Sequence, residues 1–331
     1  MGFSLFVRND HVAWKTLSEI AAVVDRGNWE YLWNYDHLVP PFAEQWPHLY
    51  DPEIFEQGDV FEGWTMLAAW ASQTRRVRLG TLVNAMTFRN PALLAKLAAT
   101  VDHISGGRLE LGVGAAWHLG EHRAYGIPLG TVKERLDRFG EGLEVLRLLF
   151  SSEERVNFIG QYYTLDHAPF APGSVQAKLP LLIGGGGEKR TLRLVAQYAD
   201  SYNFFANGYT TPQDFKRKLD VLGEHCATLS RDPGEIRTSV ALWADLVDDE
   251  QKAAAKRDNF SPALDAVGKD LLLFGSAQRI LDKTAEILQQ TGPTNEVIFC
   301  GIQPDPEVVQ RFDETVVAKL ISSGLLKPAT R

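Results

Sequence analysis

Apolar positions along the chain follow two alternating rhythms. Short continuous runs give way to longer stretches in which apolar residues recur every three or four positions, the pattern of buried strands alternating with amphipathic helices. Phe3 to Val7 reads as the first strand, Leu17, Ile20, Ala21 and Val24 mark the helix after it, and Tyr31 to Asn34 reads as the second strand. Further strands are expected at Val77 to Val83, Arg108 to Val113, Pro180 to Ile183, Ser201 to Phe205, Ile236 to Ala244 and Glu296 to Cys300. Helices are expected at Trp64 to Ser72, Pro91 to His103, Glu188 to Ala199, Pro212 to Leu229 and Ala277 to Gln290. One more follows the stripe Leu136, Phe139, Leu143, Leu146 and Phe150, and a closing helix carries Val309, Phe312, Val316 and Leu320. A strand followed by a helix, repeated to eight strands, predicts an α/β fold of the (β/α)8 TIM-barrel type. A doubly wound sheet would carry Gly-x-Gly-x-x-Gly after the first strand, whereas Arg8-Asn9-Asp10 stands there.

Three stretches interrupt the alternation: Leu38 to Gly63, with Pro40, Pro41, Pro47 and Pro52, reads as a long loop, Gly114 to Gly130 as a second irregular stretch, and Asp248 to Phe274 as an irregular and helical insertion. Loops of such length in a compact domain usually carry function. Arg155 to Leu165, with Gly160 between apolar and aromatic stretches, reads as a hairpin appended to the barrel. Barrels with insertions commonly exceed 250 residues, so the 331 residues are expected to form one domain, 1–331.

The formal net charge of -8 argues against a general nucleic-acid surface, while leaving room for a local basic pocket that takes an anionic cofactor. Cys226 and Cys300 lie far apart without close-spaced Cys or His partners, so buried thiols are expected rather than a disulfide framework or a zinc site. The N-terminal stretch has no basic segment leading into a long apolar run and no myristoylation pattern. The expectation is a cytoplasmic protein without a signal peptide or membrane span.

Three places could carry chemistry. The run Leu182 to Thr191 is a strand ending in Gly184, Gly185, Gly186 and Gly187 and continuing through Glu188 into a helix. Glycines let the backbone approach a ligand, and free amides at a helix start favour a phosphate. Leu111 to His118 ends another strand with small residues, Gly112, Gly114 and Ala115, that leave room for a planar ring, and Trp117 supplies an aromatic wall. Tyr35-Asp36-His37 follows the second strand and offers an ionisable pair with a group suited to proton transfer near neutrality. His118 and His122 have helical spacing but lack the His-Glu-x-x-His order, so no metal site is expected. Gly-x-Ser-x-Gly is also missing, which counts against a hydrolase nucleophile elbow.

These sites, together with Leu79 to Val83, Phe88-Arg89-Asn90-Pro91, Ile104 to Trp117, Glu121 to Pro128 and Gly184 to Asp200, resemble the luciferase-like monooxygenase superfamily, most of all its branch using the deazaflavin coenzyme F420. The resemblance implies a hydride transfer between the deazaflavin and a small organic substrate, with His37 near the reactive carbon as the catalytic proton donor or acceptor. It implies that Asp36 helps hold the ring, that a non-proline cis peptide at Leu82-Val83, beside Asn84, bulges behind it, and that Gly184 to Gly187 with the Glu188 amide take the cofactor phosphate. Gly114 and Ala115 then lie along the cofactor, while Trp46, Trp117, His118 and Glu121 are expected around the substrate. Sugar-phosphate dehydrogenases of the family carry a catalytic Glu where this chain has Trp117, so glucose-6-phosphate is not expected as substrate. A homodimer is a further implication. An FMN-dependent monooxygenase and a non-catalytic flavin-binding protein remain open as alternatives.

Overall fold

The computed structural model describes residues 2–40, 59–151, 155–206, 210–260, 264–292 and 294–324. Eight parallel strands form the centre: β1 (Gly2–Phe6), β2 (Tyr31–Asn34), β3 (Arg78–Thr81), β4 (Leu109–Gly114), β5 (Leu181–Gly184), β6 (Ser201–Ala206), β7 (Arg237–Leu246) and β8 (Glu296–Cys300). Each pairs with its neighbours in chain order, and β8 pairs with β1. β7 bonds both β6 and β8, so the sheet closes into the expected barrel. Outside it lie α1 (Trp14–Arg26), α2 (Gly63–Gln73), α3 (Pro91–Ser105), α4 (Leu119–Ala124), α5 (Val132–Ser151), α6 (Thr191–Tyr198), α7 (Pro212–Thr228), α8 (Glu250–Phe260), α9 (Ala266–Asp270) and α10 (Ala277–Thr291). A last helical run starts at Pro306, passes through a π-helical turn at Asp313–Val317 and ends at Ser322.

Because successive strand residues point to opposite faces, the barrel sorts its apolar side chains into two sets. Leu5, Leu32, Leu79, Leu111, Val240 and Val297 join the core shared with the helices, while Phe6, Tyr31, Trp33, Leu182, Trp243 and Ile298 pack together as the interior set. Trp33 explains one glycine: a Cβ on Gly80 would stand 2.2 Å from its ring. Helix ends follow local chemistry as well. Asn90 caps α3 before Pro91, Gly106 closes it in the left-handed conformation, and Thr211 with Asp214 forms a capping box on α7.

Several boundaries differ from the sequence-based expectation. β3 ends at Thr81; the Leu82-Val83 peptide bond is cis, as the resemblance implied, and Asn84–Ala85 forms a separate short strand beside Val113 and Gly114. The stretch 114–130 is not wholly irregular, since it contains α4. Helix α6 starts at Thr191 and not at Glu188, because Gly185 adopts φ 127° and residues 188–190 form a turn. The insertion after β7 is helical as expected, with α8 and α9, and adds a three-residue strand, Leu273–Gly275, parallel to β7. The hairpin pairs Val156–Ile159 with Thr164–Ala168. Cys226 and Cys300 are buried free thiols. Among the described residues no helix is long and apolar enough to cross a membrane.

Candidate active site

A cavity of about 550 Å³ opens at the carboxyl ends of the strands. Asp36 and His37 reach it from the end of β2, Leu82, Val83, Asn84 and Ala85 from the end of β3, and Gly114, Ala115, Ala116 and Trp117 from the end of β4. Gly184, Gly185 and Gly187 contribute from β5, and Asn203 and Phe205 from β6. Glu121 enters from α4, and Arg135 and Leu136 come from the first turns of α5. Gly186 and Glu188 lie off this lining. The Glu188 carboxylate turns to Lys218, at 3.0 Å, and to Arg217, away from the loop amides. His118 is buried one step behind the wall, and Trp46 lies outside the described residues.

The wall at β3 depends on glycines opposite it. A Cβ on Gly114 would come 2.8 Å from Val83 Cγ2, and one on Gly184 would come 3.0 Å from Val83 Cγ1. Gly112 has less room still, with Thr81 O only 1.9 Å from where its Cβ would be. Small residues on β4 and β5 thus allow Val83 to project into the cavity, where it and Leu82 give an apolar lining.

Charged groups at the inner end are held by one another. Arg89 donates to both oxygens of Asp36, at 2.5 and 3.0 Å, and also to Glu62 and to Asn84 Oδ1. Asp36 is buried, and burial pushes its carboxyl up to about 6 against the pull of Arg89. Asn84 Oδ1 accepts from Trp64 Nε1 too, so the side chain is fixed, and its buried Nδ2 is left without a partner among the described residues. His37 Nδ1 lies 3.0 Å from both oxygens of Glu121, and the Leu38 amide donates to Glu121 Oε2 at 3.1 Å. Trp117 stands edge-on to the His37 ring, 5.6 Å between centroids, and is partly exposed at the rim.

The two histidines with metal-like spacing serve structure. His118 accepts from the Glu121 amide as the N-cap of α4, and His122 donates from Nδ1 to His118 O while Nε2 meets Thr87 Oγ1 at 2.8 Å. Sequence reasoning placed Asp36, His37, Leu82, Val83, Asn84, Gly114, Ala115, Trp117 and Glu121 around one site, and the fold brings them together. It assigned no role to Arg89, Thr191, Asn203 or Arg135. Arg89 had a signal in its place just ahead of a helix N-cap, whereas Arg135 looks in sequence like any charged residue beside an apolar stripe.

A flavin-like group fits this arrangement. The unpartnered Asn84 amide can donate to a ring edge, the Val83 surface can support a ring face, and the glycine-lined end leaves backbone open to a tail. Comparison with known proteins agrees. The model of the family described as luciferase-like monooxygenase matches residues 1–263. An uncharacterized protein of Mycobacterium tuberculosis is 29% identical over 233 residues, 70% of this chain and 75% of that one. The F420-dependent glucose-6-phosphate dehydrogenase of Amycolatopsis mediterranei is 34% identical over 186 residues, 56% of this chain and 50% of that protein. Among solved structures, an F420-dependent secondary alcohol dehydrogenase with an F420-acetone adduct superposes with a TM-score of 0.76 at 21% identity, covering 96% of this chain and 98% of that one. The chain belongs to the luciferase-like monooxygenase family and is an enzyme of oxidoreductase or monooxygenase type that works with a flavin-like cofactor on a small organic substrate.

Proposed function

We propose that this enzyme uses coenzyme F420 to pass a hydride to or from a small organic substrate, with His37 giving or taking the accompanying proton. The observation that carries the reading is how the titratable groups at the inner end of the cavity are committed. Asp36 is held by Arg89, Tyr35 donates to Asp10, and Glu121 accepts from Leu38 and pairs with Nδ1 of His37. Among the described residues, that leaves Nε2 of His37 as the atom there able to exchange a proton with a bound molecule. Bound here, a deazaflavin supplies hydride chemistry without readily activating oxygen, whereas reduced FMN does activate it.

Residues of this chain divide the remaining work. Leu82 and Val83 support the ring, Asn84 Nδ2 donates to its edge, and Asp36 acts through Arg89 to keep Asn84 in place. Gly184, Gly185 and Gly187, with Thr191 and Arg135, take the phosphate-bearing tail. Arg135 suits that role because, among the described residues, its side chain has no hydrogen-bond or ion-pair partner, although it lines the cavity. Trp117, partly exposed, limits the substrate space on the outer side. The 34% identity to an F420-dependent enzyme supports the deazaflavin, while the family's description keeps the FMN-dependent monooxygenase as the second reading.

Titration of the apo-protein with each cofactor, followed by fluorescence quenching, tests this reading. Micromolar or tighter binding of F420, with no oxygen consumed when it is reduced, is expected. Binding of FMN at least about tenfold more tightly, a difference of about 1.4 kcal/mol, together with formation of an oxygenated product, gives the site to the monooxygenase reading.

A further inference from the structure

We infer that Glu121 is a positioning residue that holds His37 as the Nδ1–H tautomer, so that the Nε2 lone pair faces the cavity. Glu121 is 1% exposed, and its carboxylate accepts from the Leu38 amide at 3.1 Å and lies 3.0 Å from Nδ1 of the His37 ring. An ionised carboxylate only accepts hydrogen bonds, so the hydrogen shared with His37 belongs to Nδ1. Free imidazole prefers the other tautomer, with hydrogen on Nε2, and the carboxylate reverses that preference. Helix α4 makes the arrangement rigid. Its first turn is capped by His118, which accepts from the Glu121 backbone amide, and His122 ties the helix to Thr87.

The consequence for proton transfer rests on the role of His37 proposed above; the tautomer itself does not. With the Nε2 lone pair facing the cavity, the resting enzyme is set to accept a proton from substrate. It becomes a donor only after taking one up. The neighbours supply internal references, because backbone partners fix them separately: His118 accepts at Nδ1, and His122 donates from Nδ1 to His118 O.

Long-range proton–nitrogen correlation spectra of 15N-labelled protein at about pH 8, above the ordinary imidazole range, read the tautomer directly. The His37 signals are assigned by their loss in His37→Asn. Wild-type protein is expected to carry the hydrogen on Nδ1. In Glu121→Leu, which removes both oxygens within reach of Nδ1, the ring is released to the preference of free imidazole, so the hydrogen is expected to move to Nε2. The His118 and His122 patterns should stay unchanged. A wild-type ring protonated at Nε2, alone or together with Nδ1, overturns the proposal, as does a Glu121→Leu protein that keeps the Nδ1 hydrogen. Full turnover in His37→Ala would instead remove the proton-transfer role and leave the tautomer assignment standing.

Discussion

Single side chains at this site are constrained by their partners more than by their own chemistry, and that sets what substitutions should do. His37→Ala removes the proposed proton carrier while leaving the Val83 surface and glycine loop in place. Turnover is expected to fall on the order of 10²-fold or more with little change in cofactor affinity, measured once a substrate has been found by screening. Equal rates in wild type and variant would count against the role. In the glycine loop the positions are not equivalent. A Cβ on Gly187 would come 2.8 Å from Thr191 Oγ1 at the cavity edge, whereas the nearest atoms to one on Gly186 are the flexible end of Lys218, at 3.4 Å. Gly187→Val is therefore expected to weaken cofactor binding at least tenfold, and Gly186→Val much less. Equal losses at both positions would mean that the loop does not hold the tail in the way proposed. The residue types at the site were legible from sequence, but their pairings were not. Glu121 read as a pocket residue, and that it turns onto His37 depends on α4, which lies more than eighty positions away in the chain.

At the scale of elements, the strand and helix order was readable because each apolar run is continuous and each helix carries one stripe. The misplaced boundaries fall where backbone geometry overrides the pattern. Val77 to Val83 looks like one strand because Leu82 and Val83 are as apolar as the residues before them, yet pairing with β2 stops at Thr81. Glu188 looks like a helix start, but the turn after Gly185 delays α6 by three residues. α4 is not legible in the sequence because its six residues are too few to show a period. The packing of β3 against β4 carries its own prediction. Gly112 lies on β4 against backbone, not against a movable side chain, and Thr81 Oγ1 donates to Gly112 O at 3.1 Å. Gly112→Ala must push the two strands apart, and a loss of about 1–3 kcal/mol or more in denaturant unfolding is expected. Unchanged stability would show that the strand ends can move without cost.

Across the whole molecule, the barrel carries its cavity at the carboxyl ends of the strands and is closed by charge at its amino end. Tyr31, Glu110, Ser201, Arg237 and Glu296 lie at or near the starts of their strands and bond one another: Tyr31 donates to Glu110 at 2.7 Å, and Arg237 reaches Tyr31, Glu110 and Glu296. Trp33, from the next layer of the interior, donates to Glu296 at 3.0 Å. One arginine thus faces two buried carboxyl groups. Burial pushes the Glu296 carboxyl up to about 7, with Arg237 opposing and Glu110 adding to the rise. A carboxyl raised in this way binds its proton more tightly in the folded chain than in the unfolded one. Its contribution to stability is full below the ordinary glutamate range, near pH 4.5, and is lost as the pH rises through 7. Glu296→Gln keeps the shape and the Trp33 contact but has no proton to lose. Relative to wild type, the variant should therefore gain stability between pH 5 and pH 8, by about 3 kcal/mol across the full window. Urea unfolding of both proteins at several pH values measures that difference. A gap between them that stays constant with pH, or that widens against the variant as pH rises, would show that Arg237 keeps Glu296 ionised throughout and that the amino end of the barrel is closed by a permanent ion pair.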